Sequence, residues 1–264
     1  MEQPHDLDAD AVLVAARDGA LEITLNRPRV RNAMNRDVRA RLWSELTQAA
    51  RDDAVRVVVL RGSGSAFCSG ADVSDLAAEP TTTLGTLDMG RDIVTAVASM
   101  PKPVVAAVRG AAVGAGMSLA LACDLVVADL TAVFHPIFVR RGLAPDWGCT
   151  HWLVRHLGLA RAKDILLTGR SVAADEAHAL GLIARLWPED VFEARLADLV
   201  SELATGPTLA MGVTKRMLNR AAETDLAGML ALETYGQVFA TSTADHAEAV
   251  RAFSERRQAA FRAR

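Results

Sequence analysis

The stretch GAAVGAGMSLALACD, residues 110–124, places a glycine-punctuated turn directly before an apolar helix. The first N–H groups of a helix have no partner inside it and sit at the positive end of its dipole, so such a turn is suited to hold a negative charge. The chemistry on offer is stabilisation of an oxyanion. A reaction of that kind also needs a group to move a proton, and the helix supplies none, continuing as Met117, Ser118 and Leu119. The six histidines are scattered, with no HxxxH or HxxE spacing, so no metal site is expected. Cys68, Cys123 and Cys149 are widely separated and form no CxxC pair, which reads as incidental thiols of a reducing compartment.

The elements that must hold this turn are legible from spacing. Residues 12–16 and 21–25 are β-prone runs on either side of Asp18-Gly19, a favoured hairpin turn. Pro28 in NRPRVRNAMN interrupts regular pairing. Val38, Leu42, Leu46 and Ala49 recur at helical spacing over residues 36–51. VRVVVLRG, KPVVAAVRG and CDLVVAD read as buried strands. The first leads into a loop, GSGSAFCSGAD, then an irregular stretch over 73–86 and a helix over 87–100. Strand–helix–strand order up to about Asp129 predicts an α/β class. Beyond Thr150 the pattern turns almost wholly helical, over 152–156, 160–168, 174–180, 191–204, 208–222 and 225–239, ending in ADHAEAVRAFSERRQAAF.

A chain of 264 residues, 51% of them hydrophobic, is long enough for one large domain, alone or with a small appendage. The net charge of -3 lacks the basic footprint of a nucleic-acid binder. The opening MEQPHDLDAD is polar and acidic, unlike a signal or transit peptide. The longest uncharged stretch, residues 110–123, is too short and too glycine-rich to cross a membrane. A cytoplasmic protein with no membrane or nucleic-acid partner is expected.

Several stretches, taken together, fit one pattern. LNRPRVRNAMN (25–35), AFCSGADV (66–73), VRGAAVGAGMSLALACDLVVAD (108–129) and RGLAPDWGCTHWLVRHLG (141–158) resemble the crotonase, or enoyl-CoA hydratase/isomerase, superfamily. LTGRSVAADEAHALGLI, GPTLAMGVTKRMLN and AEAVRAFSERR resemble its later landmarks, in the same order. The resemblance implies an α/β crotonase-like core of stacked ββα turns over residues 1–200 and a helical oligomerisation region over 201–264. It further implies a homotrimer or homohexamer acting on an acyl-CoA thioester, with no separate cofactor because coenzyme A is part of the substrate.

By position, the resemblance makes Ala71, after Gly70, and Ala115 the two backbone N–H donors to the thioester carbonyl. Fixed donors aimed at a developing enolate oxygen contribute about 3 kcal/mol each. Ala115 departs from the glycine common there, but the group required is main-chain. Hydratases of the superfamily use two glutamates, and the matching positions hold Ser118 and Phe138. Neither residue takes a proton from water, so ordinary hydration is not expected.

Asp146, in GLAPDWG, matches the aspartate that serves as acid/base in several isomerases of the superfamily. One carboxylate suits a 1,3 shift of a double bond. It removes a proton beside the thioester carbonyl and returns it two carbons further along. Trp147, Phe138 and Met117 would make the surroundings apolar and raise its basicity. Asp146 also stands just before a predicted helix, where a capping role is the competing reading. Ser118, with Met117, Phe138 and Trp147, is expected to border the acyl site.

Arg27, Arg29 and Arg31 suit CoA phosphates, against the reading of a solvated basic loop. Ser69 would offer its carbonyl to the adenine amine. Asp72 and Asp124 are expected to hold turns, Cys68 to be a small buried hydrophobe, and His135 to be a satisfied polar group. Lys215, Phe253, Arg256 and Arg257 match helices that close the CoA site, or form an exposed basic face. The activity the resemblance implies is isomerisation of an acyl-CoA, of the Δ3–Δ2 or the ring type. The alternatives are an atypical hydratase, a dehalogenase- or hydrolase-like enzyme with Asp146 as nucleophile, and an acyl-CoA binding protein without turnover.

Overall fold

The computed structural model describes residues 10–72 and 80–263, with the backbone alone over 80–83. The polar opening over residues 1–9 and residues 73–79 of the stretch expected to be irregular lie outside these. The chain opens with β1 (Val12–Arg17) and β2 (Ala20–Leu25), joined antiparallel with Arg17 opposite Ala20. Asp18 and Gly19 both take positive φ, 50° and 81°, which is the backbone a two-residue hairpin of the predicted kind requires. Helix α1 (Arg36–Arg51) follows, its first turn capped by the Asn35 side chain accepting from the Val38 N–H.

Three ββα units then repeat the same path. The first is β3 (Val57–Gly62), β4 (Ala66–Cys68) and α2 (Pro80–Ser99). The second is β5 (Val104–Val108), β6 (Ala111–Val113) and α3 (Ala115–Ala122). The third is β7 (Leu125–Asp129), β8 (Val133–His135), a 3-10 turn at Phe138–Arg141, and α4 (Cys149–Leu157). The first strand of each unit joins one sheet and the second joins another. Beyond lie α5 (Leu159–Thr168), β9 (Val172–Ala173), α6 (Ala174–Ala179), β10 (Arg185–Trp187) and α7 (Glu189–Thr205). The chain closes with α8 (Thr208–Arg220), α9 (Leu226–Thr241) and α10 (Ala244–Ser254). The large sheet runs β1-β2-β3-β5-β7-β10, parallel except for the opening hairpin, and the small one β4-β6-β8-β9. This is the stacked ββα spiral expected.

Alternation along β3 shows why its sequence is continuously apolar. Val58 and Leu60 face the main core with Leu42 and Leu46 of α1, whereas Val57 and Val59 face Phe192, Leu196 and Leu199 of α7. A parallel strand covered on both faces has no polar side to show. Each of those α7 side chains contributes about 1.5–3 kcal/mol by leaving water. The boundary placed at residue 200 falls inside this helix.

Three expectations need correction. Helix α2 begins at Pro80, so residues 80–86 are helical rather than irregular. Proline suits a first helical turn, and packing on α1 outweighs the weak propensity of the threonines and Gly85. The stretch read as the loop GSGSAFCSGAD contains β4, and β9 and β10 interrupt the region read as helical. Strands of two or three residues are too short to show a period of two. No helix among the described residues is long and apolar enough to cross a membrane.

Candidate active site

Two tight main-chain segments meet where β4 ends and α3 begins. The Met34 N–H donates to Gly70 O at 2.8 Å and the Asp72 N–H donates to Met34 O at 3.2 Å. This parallel bridge flanks Ala71, so the N–H of Ala71 points away from Met34. Gly70 holds φ +94°, and a Cβ built on it would lie 2.8 Å from Val113 O and 3.5 Å from the Ala115 nitrogen. The two loops therefore touch through a position where only glycine fits. Among the described residues, neither the Ala71 nor the Ala115 N–H has an acceptor. Such free donors are what an oxyanion site consists of.

The second donor is set by packing around α3. All eight residues of this helix are buried. A Cβ on Gly116 would lie 2.5 Å from Cys68 O, so the helix is pressed directly on β4. Gly114 takes φ 53°, and its N–H donates to His135 O at 2.9 Å, tying the turn to β8. A side chain on Gly114 would stand 3.8 Å from Cε1 of Phe138, which places that ring against the turn.

Asp146 approaches on the loop before α4. Its main-chain carbonyl accepts from the Cys149 N–H at 3.0 Å and from the Ser118 hydroxyl at 3.1 Å. Its carboxylate does not cap the helix: the cap position is Gly148, with no side-chain bond. The Oδ1 atom is buried without a hydrogen-bond partner. Burial pushes the Asp146 carboxyl up to about 6, partly offset by its own backbone. Trp147 and Gly148 both take left-handed φ, 51° and 77°, so a bulky residue is held in a sparsely populated conformation next to this acid. Trp147 is buried, its indole filling the space over Gly90 of α2, where a Cβ would lie 2.1 Å from Nε1.

Residues 15–264 match the model of the enoyl-CoA hydratase/isomerase family. The chain belongs to that family. It is 37% identical over 255 residues to the 1,2-epoxyphenylacetyl-CoA isomerase of Escherichia coli K12, covering 95% of this chain and 97% of the relative. It is 42% identical over 248 residues to the "Probable enoyl-CoA hydratase" of Rhodobacter capsulatus, covering 94% and 96% of the two chains. The enoyl-CoA hydratase structure from Bacillus anthracis superposes with a TM-score of 0.93 at 29% identity, covering 96% of this chain and all of that one (100%). An enoyl-CoA hydratase/isomerase fold acting on acyl-CoA follows.

The remaining residues sort by what they touch. Met117 and Ser118 are fully buried in α3, the serine hydroxyl turned to the carbonyls of Gly114 and Asp146. The guanidinium of Arg27, expected at a CoA phosphate, instead commits Nη1 to Asp72 at 2.8 Å and to Ala33 O at 2.7 Å. Lys215, expected at the closure of the CoA site, is buried and donates to Asp124 at 2.7 Å and Val97 O at 2.8 Å. Asp72 and Asp124 thus hold turns, as anticipated, and Cys68 is a buried thiol pushed up to about 12 by its burial. Arg29 and Arg31 are exposed, and Ser69 binds back through its hydroxyl to Val30 O. Phe253 is exposed, and Arg257 pairs with Glu248 and Glu255 on the surface; Arg256, beside it, takes φ 53°. His135 departs from its expected role: its Nε2 is buried with no hydrogen-bond partner.

Asn32 is the organiser that sequence reasoning missed. It is buried at φ 58°, and its amide donates to Ser63 O at 2.9 Å and Ala66 O at 2.7 Å while its oxygen accepts from the Arg27 N–H. One side chain thereby fixes the 27–34 loop against β4 and the first donor loop. An asparagine directly after Arg31 in a proline-broken loop was the available signal, since asparagine tolerates the left-handed region.

Proposed function

We propose that the protein isomerises enoyl-CoA thioesters, with Asp146 as the single acid/base and the N–H groups of Ala71 and Ala115 as the oxyanion site. The carrying observation is the Asp146 carboxylate. It is desolvated, leaves one oxygen without a partner, and does not cap its helix. In a 3-enoyl-CoA the ionised carboxylate takes a proton from C2 and the pair of electrons moves into the thioester carbonyl. The resulting dienolate oxygen rests on the two N–H groups. The carboxyl then returns the proton to C4, leaving the double bond between C2 and C3. No atom is gained or lost and no further cofactor is required. A carboxyl ionising near 6 is matched to both halves of this exchange near neutral pH.

Ser118 and Phe138, at the positions of the hydratase glutamates, leave no carboxylate there to activate water. On this reading the buried side chains of Met117, Phe138 and Trp147 make the acid's surroundings apolar, and Gly70 gives the first donor its approach. On this reading Arg29 and the Ser69 carbonyl meet the coenzyme A end, on the rim beside the first donor loop. Assembly as a homotrimer or homohexamer is supported by α9, which buries none of its residues and exposes Leu226, Leu230, Tyr235 and Val238. A cytoplasmic setting is supported by three free buried thiols.

The test is proton NMR of 3-enoyl-CoA with the enzyme in deuterated water. The reading expects loss of the C2 proton signal and appearance of the 2-enoyl product, and neither with Asp146→Asn. Formation of a 3-hydroxyacyl-CoA by the wild type would make the protein a hydratase. Tight binding of the thioester with no exchange would make it a carrier.

A further inference from the structure

The hydroxyl of Ser118 lies between the two halves of the proposed site. It is 3.2 Å from the carbonyl oxygen of Gly114, the residue that sets the second oxyanion turn, and 3.1 Å from the carbonyl oxygen of Asp146. The side chain is fully buried, so no water competes for either contact. One hydroxyl proton serves one carbonyl at a time, and the Gly114 carbonyl already accepts from the Ser118 N–H at 3.0 Å. Among the described residues the Asp146 carbonyl accepts one main-chain bond, from Cys149. The hydroxyl is therefore better spent on Asp146. The Cys149 thiol is fully buried and is pushed up to about 12 by that burial, so it stays protonated.

We propose that Ser118 is a positioning residue: its hydroxyl couples the oxyanion turn of α3 to the loop that aims the Asp146 carboxylate. The need for such a tie is visible in the loop itself. Trp147 and Gly148 occupy left-handed backbone, and no side-chain cap secures the start of α4. Without the serine, the Asp146 carbonyl keeps one bond and the loop loses its only side-chain tie to α3 among the described residues. A proton carrier displaced by about 1 Å loses up to roughly a hundredfold in rate.

This inference rests on the isomerase reading, and the experiment separates the two. Proton exchange at C2 and isomerisation are followed for wild type, Ser118→Ala, Ser118→Thr, Ser118→Cys and Asp146→Asn across pH. Wild-type turnover that vanishes in Asp146→Asn secures the reading first; its absence defeats the reading before Ser118 is considered. With turnover present, Ser118→Ala is expected to lower kcat by about 10- to 100-fold with KM nearly unchanged. The acid limb of its pH profile should move below about 6 as the carboxylate gains solvent. Ser118→Thr, which keeps a hydroxyl, should recover most of kcat. Ser118→Cys, a weaker donor, should fall between them and serves in place of the alanine variant if that one does not fold. A folded Ala or Cys variant with wild-type kcat and an unmoved pH profile overturns the proposal, as does a lower stability with turnover intact.

Discussion

Replacing Asp146 with asparagine removes a charge that the fold holds at a cost, so the variant should be inactive and yet more stable. The carboxyl ionises at about 6 in the folded protein and at 3.8 when free of its surroundings. Because the folded value is the higher one, the stabilising preference for the neutral form is fully present below 3.8 and is lost as the pH rises through 6. Each tenfold difference in proton affinity corresponds to about 1.4 kcal/mol, so the wild type is short of about 3 kcal/mol at about pH 8 and about half that at about pH 5. An asparagine is neutral throughout and nearly the same shape. At about pH 8, Asp146→Asn should melt several degrees above the wild type, since about 1 kcal/mol moves the midpoint of a chain this long by roughly 2–4 °C. The gain should shrink as the pH falls to about 5. Thermal melts of both proteins at the two pH values, with C2-proton exchange measured on the same samples, provide the assay. A variant that is less stable at both pH values, or a gap that does not widen with pH, would refute the claim that Asp146 is a desolvated carboxylate.

Turnover by the wild type should rise through about pH 6 as Asp146 becomes the base, read as kcat/KM against pH. Gly70→Ala should abolish exchange, because the residue holds φ +94° and its Cβ would press on Val113 O at 2.8 Å; a variant with unchanged rate would separate the first donor loop from the chemistry. Lys215→Met breaks a buried ion pair and should cost about 3–5 kcal/mol in denaturant unfolding while leaving KM for the CoA ester nearly unchanged. Gly90→Ala would drive a methyl into the Trp147 indole, costing about 1–3 kcal/mol and narrowing the range of acyl groups accepted, measured as kcat/KM across chain lengths.

What the sequence made legible follows from how each feature is encoded. The hairpin at Asp18-Gly19, helix α1 and the three apolar strands carry period, turn chemistry or both, and they stand where expected. The small sheet was invisible because β4, β6, β8 and β9 each have two or three residues, and their pairing is set by distant chain rather than local pattern. Glycines at 70 and 114 announced tight turns, but the approach of Gly70 to Ala115 exists only once the ββα units stack. Charge was the least legible. Arg27 looked like a phosphate ligand and Lys215 like part of the helices that close the CoA site, and the two close internal ion pairs with Asp72 and Asp124. Side chains 45 and 91 residues apart leave no mark on either local stretch. That the Asp146 side chain does not cap α4 was legible only in the fold, since a capping and a non-capping aspartate before a helix read identically.

The central claim is that one carboxyl carries a hydrogen along the acyl chain while two main-chain N–H groups hold the thioester oxygen. It is tested most directly by a label placed on the substrate. A 3-enoyl-CoA deuterated at C2 is converted in ordinary water, and the product is analysed by mass spectrometry and NMR during the earliest turnovers. Delivery by Asp146 predicts that part of the deuterium reappears at C4 of the 2-enoyl product. A product whose C4 hydrogen comes wholly from solvent from the first turnover, or no conversion at all, would contradict it.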